Sequence, residues 1–172
     1  MKNTLRVKYI KIRKKIKFKY FKSYIMYKKI IKNKNFIKSD VVLVYVSLKN
    51  EVNTRLLIKK ILKHKKVAVP KIINNTMNFY YINSLKDLKK GYFGILEPIT
   101  NNLVNVNKNM ICITPGICFS KQGYRIGYGK GFYDKFFSNN NVYSIGLCFK
   151  RCFINSIPND IYDKKVNEVI TE

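Results

Sequence analysis

Apolar residues recur every three or four positions at Leu5, Tyr9, Ile12, Ile16 and Tyr20, which predicts a basic amphipathic helix over about residues 2–33 with lysines on its outer face. From Asp40 the period changes. Residues 41–46, Val-Val-Leu-Val-Tyr-Val, read as a strand buried on both faces of a parallel sheet. Asn53 or Thr54 is placed to cap a helix from Arg55 to about Lys63, and residues 66–69 form a second strand ended by Pro70. A short strand at 77–82, a turn-rich stretch at 83–94 and an apolar stretch at 95–98 that keeps Glu97 follow. Residues 101–109 hold five asparagines and read as a loop. Strands at 110–114 and 142–149 flank a short apolar run at 117–120, a glycine-rich stretch at 123–131 and a short aromatic helix at 130–137. A last strand lies at 166–171. This alternation predicts an α/β fold with a mostly parallel sheet flanked by helices, its sites at the carboxyl ends of the strands.

The 172 residues fit one domain, 1–172, and 47% hydrophobic residues are enough for a core. No apolar run approaches the ~20 residues of a membrane span, and no membrane partner is expected. A net charge of +26 points toward nucleic acid, but 30 of the 35 basic residues are lysine, beside 20 Asn and 23 Ile. That usage fits a drift toward adenine- and thymine-rich codons, whereas specific readers of bases favour the arginine fork. No specific nucleic-acid partner is expected. The first 39 residues carry 15 basic residues and no acid, a composition that a targeting peptide shares with a surface helix. Cys112, Cys118, Cys148 and Cys152 contain no C-x-x-C pair, and the one histidine, His64, is distant in sequence. Buried free thiols in a reducing, cytoplasmic compartment are the expectation.

Four of the eight glycines, Gly123, Gly127, Gly129 and Gly131, fall within nine residues, after a strand and before a helix. Such a backbone can approach an anion closely, and helix N–H groups favour phosphate. Arg125 and Lys130 add positive charge there, and Asp134 adds a hard oxygen suited to Mg2+ on a nucleotide. The spacing matches neither a Walker loop nor G-x-G-x-x-G.

Residues 115–134, Pro-Gly-Ile-Cys-Phe-Ser-Lys-Gln-Gly-Tyr-Arg-Ile-Gly-Tyr-Gly-Lys-Gly-Phe-Tyr-Asp, closely resemble the signature of the 5-formyltetrahydrofolate cyclo-ligases. The likeness extends to Lys2-x-x-x-Arg6, to 45–54 with Glu51-x-x-Thr54, to 67–70, to Gly94-Ile-Leu-Glu-Pro98, to 146–158 and to 163–172. It begins at residue 2, which implies that no presequence is removed. It implies a small α/β enzyme, resembling the glucosamine-6-phosphate and ribose-phosphate isomerase class, that uses ATP and Mg2+ to turn 5-formyltetrahydrofolate into 5,10-methenyltetrahydrofolate. On the same resemblance Lys2, Arg6, Arg125, Ile126, Gly127, Tyr128, Gly129, Lys130, Gly131, Phe132 and Tyr133 contact ATP. Val46, Glu51, Tyr128, Gly129, Lys130, Gly131 and Phe132 contact folate, and Asp134 and Asp163 hold Mg2+. Lys130 and Arg125 are expected to neutralise the transferring phosphoryl group. A monomer is expected. Cys152 stands where relatives frequently have Gln, Tyr162 where they often have His, and Phe132 where Tyr is frequent. Two rival readings are a nucleic-acid-binding module and an inactive folate-binding relic of the family.

Overall fold

The structure, a computed structural model, describes residues 1–91 and 94–172. It corrects the first expectation. The helix expected over 2–33 is two helices, α1 (Lys2–Lys14) and α2 (Lys19–Ile30), followed by a short α3 (Lys34–Lys38). Phe18 forms the corner at φ 55°, a left-handed conformation that costs an L-residue about 1–2 kcal/mol. The bend brings Met26 and Ile30 fully out of solvent, and burying such side chains stabilises by about 1.5–3 kcal/mol each. Burial outweighs the corner. The apolar period therefore holds through Ile16, which is buried, and fails at Tyr20, which is 78% exposed.

The remaining elements are β1 (Val41–Val44), α4 (Arg55–Ile61), β2 (Lys66–Ile73), β3 (Thr76–Ile82), β4 (Leu88–Lys90), β5 (Leu96–Pro98), β6 (Met110–Pro115), β7 (Cys118–Ser120), β8 (Arg125–Ile126), α5 (Phe132–Asn139), β9 (Tyr143–Leu147), β10 (Phe153–Ile154) and β11 (Glu168–Ile170). The main sheet has the order β11-β9-β6-β1-β2-β3, parallel except for the β2–β3 hairpin. The mostly parallel α/β fold expected from the alternation is the fold observed. Residues 83–94 contain a 3-10 turn at Leu85–Asp87 and β4; Tyr92 and Phe93, within that stretch, lie outside the described residues.

Pro70 does not end β2. The strand runs on to Ile73, because β1 pairs only as far as Ala68, and beyond that point β2 is bonded on the β3 side alone. Proline is tolerated on such an edge. The hairpin turns at Asn74 and Asn75, with φ 48° and 61°, as a two-residue hairpin loop requires, and asparagine tolerates that conformation.

Successive residues of β1 point to opposite faces, and both faces are covered. Val42 and Val44 pack with Ile58, Ile111 and Ile113, while Val41 and Leu43 pack with Ala68, Phe79 and Phe136. The Phe79 and Phe136 rings meet at 5.0 Å, fastening α5 over that face. From β1 the chain builds outward on one side to β2 and β3, then returns to β6 on the other side and continues to β9 and β11. Strand order thus reverses between β1 and β6. A crevice outside their carboxyl ends is where α/β sheets of this kind bind ligands.

Candidate active site

Each side of that crevice is built by one segment. After β1 the chain folds back on Thr54, whose Oγ1 donates to the Tyr45 carbonyl (2.6 Å) and accepts from Ser47 N (3.0 Å), while Ser47 Oγ accepts from Thr54 N (3.1 Å). Thr54 is spent in this clamp, so the side chain that serves α4 is Asn53, whose Oδ1 accepts from Arg55 N (3.0 Å). The clamp presents Glu51, only 8% exposed, whose Oε2 accepts from Leu48 N (2.9 Å). Val46 lies buried at the base of the same segment.

The other side is the glycine-rich loop. β7 and β8 form a small antiparallel pair, and the chain leaves β8 into Gly127–Gly131 and then α5. Gly129 and Gly131 have φ 94° and 66°, a region open to glycine at little cost and strained for other residues. Gly129 also lies under the Arg6 guanidinium, where an added Cβ would sit 3.4 Å from Nη2. Arg6 holds the loop from α1, its Nε donating to the Gly127 carbonyl (2.8 Å). Lys130 is exposed at the loop's tip, between two glycines. Ile126 turns its side chain into the core, so only its backbone is available to a ligand.

Beyond the loop, carboxylates and cations interleave. Lys2 donates to Asp160 (2.7 Å) and to Asp163. Burial alone would lower its pKa, but these two hydrogen bonds and charges outweigh it and hold the ammonium above its usual range. Arg125 is 5% exposed; its Nη2 donates to Asp134 Oδ1 (2.7 Å), and its Nη1 donates to the Lys164 carbonyl (2.8 Å). Its guanidinium also lies over the Tyr133 and Phe137 rings. Burial lowers its pKa, and Asp134 opposes that shift. The Arg125 guanidinium is thus paired with Asp134 and the 164 turn. Asp134 Oδ1 also accepts from Lys164 N (3.0 Å), which places Asp134 beside the segment that carries Asp163. Tyr133 keeps a buried hydroxyl without a hydrogen-bond partner, and burial pushes its pKa well up.

Asp134 lies beside the segment that carries Asp163, and Mg2+ commonly takes one or two protein oxygens and completes its shell with phosphate and water. Among the described residues no group of three His, Cys, Asp or Glu side chains comes together to hold a metal. The four thiols are free and buried.

Arg13, absent from the residues expected of the site, joins its two sides. It is 4% exposed and donates from Nε to the Asn50 carbonyl (2.9 Å), from Nη1 to the Gly116 carbonyl (3.3 Å) and from Nη2 to the Tyr128 hydroxyl (3.2 Å). The Tyr128 hydroxyl in turn donates to Glu51 Oε1 (3.0 Å), which also lies 3.7 Å from Arg13 Nη2. Tyr128 is 52% exposed, yet its hydroxyl turns inward. Burial and the neighbouring Glu51 charge push its pKa up to about 12, so it remains a donor at neutral pH. The available signal for Arg13 was its type: in a chain with 30 lysines, three of the five arginines, Arg6, Arg13 and Arg125, lie at this site.

With this geometry in view, the chain was compared with known proteins. The model of the 5-formyltetrahydrofolate cyclo-ligase family matches residues 1–172. The 5-formyltetrahydrofolate cyclo-ligase of Mus musculus is 28% identical over 166 residues, 87% of this chain and 82% of the mouse protein. The 5,10-methenyltetrahydrofolate synthetase of Aquifex aeolicus, solved by NMR, superposes with a TM-score of 0.86 at 29% identity, covering 98% of this chain and 88% of that one. The synthetase of Mycoplasma pneumoniae, at 20% identity, shares the fold with a TM-score of 0.76 over 99% of this chain and 98% of its own.

Proposed function

This chain belongs to the 5-formyltetrahydrofolate cyclo-ligase family, and from that premise we propose how its crevice divides the work of the reaction. The enzyme converts 5-formyltetrahydrofolate to 5,10-methenyltetrahydrofolate, with ATP as co-substrate. The formyl oxygen on nitrogen 5 is a poor leaving group. Transfer of the γ-phosphoryl group to that oxygen, with release of ADP, makes it a good one. Nitrogen 10 then attacks the formyl carbon, loses its proton, and phosphate departs as the ring closes.

Folate lies on the Glu51, Val46 and Tyr128 side, and the nucleotide on the Lys2, Arg6 and Arg125 side. Residues Tyr128 to Phe132 serve both. The single observation that carries this reading is that α1 grips the glycine-rich loop at two points, Arg6 at Gly127 and Arg13 at Tyr128, while the Tyr128 hydroxyl reaches across the crevice to Glu51. Two substrates that must exchange a phosphoryl group need to meet at one loop, since positioning is the main contribution of such sites. Lys130 is the cation nearest the transferring group. Arg125 acts from behind Asp134, holding it in place. Asp134 and Asp163 hold Mg2+, which when bound supplies charge neutralisation for the phosphate oxygens. The excess positive charge steers both polyanionic substrates inward. We read the chain as a monomer without a nucleic-acid partner. Four free buried thiols support a reducing, cytoplasmic setting, and no helix among the described residues is long and apolar enough to cross a membrane.

The test is to mix purified protein with 5-formyltetrahydrofolate, ATP and Mg2+ and to follow the near-ultraviolet absorbance of the methenyl product, with ATP omitted in parallel. An ATP-dependent rise is expected. Folded protein that gives none refutes the assignment.

A further inference from the structure

Arg13 has a place in the crevice that invites a role beyond packing. A guanidinium this deeply buried is costly unless its N–H groups are paired. Its partners are drawn from three separate segments: Asn50 and Glu51 after β1, Gly116 after β6, and Tyr128 in the glycine-rich loop. These segments flank the point where strand order reverses. The donor order is also set by chemistry. Arginine only donates and Glu51 in its carboxylate form only accepts, so the Tyr128 hydroxyl must accept from the first and donate to the second. Its single proton is then committed to Glu51 Oε1, while Leu48 N occupies one direction at Oε2. What remains for a ligand are the other lone pairs of a carboxylate whose two oxygens are held in a fixed plane. A lysine at position 13 would keep the charge and lose the fork, so it could not reach the three segments in the same geometry.

We propose that Arg13 is a positioning residue for the folate half of the site: it fixes the plane of the Glu51 carboxylate and the direction of the Tyr128 hydroxyl, so that Glu51 accepts from N–H donors on the pterin. The proposal rests on the assignment of folate to the Glu51 side. It predicts selectivity between substrates, because Arg6 holds the loop at Gly127 and Lys2 binds Asp160 and Asp163 without help from Arg13.

The experiment uses the full chain as wild type, Arg13→Lys, Arg13→Met, Glu51→Gln and Arg13→Met/Glu51→Gln. It measures KM for each substrate, equilibrium binding of 5-formyltetrahydrofolate without ATP, and the melting temperature. Arg13→Met is expected to weaken folate binding and raise its KM by about thirtyfold, the low end for truncating one partner of a buried pair, with KM for ATP changed less than about twofold. Arg13→Lys, the variant better suited to fold, should restore part of the melting temperature yet still raise the folate KM by about tenfold. Once Arg13 is gone, Glu51→Gln should cost less than it does in the wild type, since residues in one network are not additive. Equal rises in both KM values, a lysine variant with wild-type folate KM, or strictly additive losses would each overturn the positioning role. Wild-type protein that binds no folate and turns over none would instead remove the underlying functional reading, an outcome visible in the same data.

Discussion

The two sides of the crevice hold their charges in opposite ways. On the side proposed for the nucleotide, Lys2 pairs with Asp160 and Asp163 at partly exposed positions, and Lys130 is exposed in the glycine-rich loop. On the side proposed for folate, Arg13 and Glu51 are almost fully buried and every hydrogen bond has one direction. Exposed pairs are worth about 1 kcal/mol or less and exchange partners readily, whereas a buried pair that loses one member is penalised by about 3–5 kcal/mol. The difference suits the two ligands. A triphosphate needs movable cations, while a planar ring needs acceptors that do not move. Arg125 and Asp134 fall between these extremes, since the guanidinium is buried and the carboxylate partly open.

The contrast is broken most severely at that intermediate pair. Asp134→Ala is expected to abolish turnover and to lower stability by about 3 kcal/mol, because it leaves Arg125 buried without its charge partner; calorimetry and the product assay read the two losses separately. Lys2→Met should act on the nucleotide side alone, raising KM for ATP by about tenfold while changing stability by less than ~1 kcal/mol. A comparable rise in the folate KM would erase the division of the crevice. Gly129→Ala forces a side chain into a left-handed backbone beneath Arg6 and should cost about 1 kcal/mol, with a larger fractional loss in kcat than in melting temperature.

Smaller effects follow from pH and from the thiols. Hydrogen bonding to Lys2 lowers the pKa of Asp160, so its contribution to stability is present above the unfolded value near ~4 and is lost as pH falls through the lowered one. Lys2 is raised; its contribution is full below the unfolded value near ~10.4 and is lost as pH rises through the folded one. Asp160→Asn should therefore flatten a small acid-side slope in melting temperature and leave the neutral range nearly unchanged. A steeper acid limb in the variant would contradict the pairing. Burial pushes Cys112 and Cys118 up to about 12 and Cys152 up to about 11. Alkylation of the native enzyme at neutral pH should accordingly be slow at all four thiols and become rapid on unfolding.

Much of this molecule was legible before its fold was known. The doubly buried strand within residues 41–46 was legible because every side chain there is apolar and β-branched or bulky, a pattern that depends only on local chemistry, although the strand observed stops at Val44 while Tyr45 and Val46 stay buried. The glycine-rich loop and its acids were legible for a similar reason, since four glycines in nine residues and a lone Asp134 are departures from the chain's own composition. Pro70 was read less well. It suggested a strand end, but whether a missing N–H matters depends on which neighbour lies alongside, and that is set by the order of strands. The single helix over 2–33 failed likewise, since lysines continue on both sides of Phe18 and hide the break in the apolar period between Ile16 and Tyr20.

The sequence by itself determined the kind of sheet, the composition of the glycine-rich loop and the family to which the chain belongs, all of which are carried by residues close together in the chain. Tertiary structure alone decided which charges meet. Arg13 lies in the last turn of a lysine-rich helix, 38 positions before Glu51 and 115 before Tyr128, and nothing in its local pattern separates it from the cations around it. Electrostatic partnership is a matter of distance and burial, and both are set only when β1 and β6 lie side by side and α1 crosses their ends.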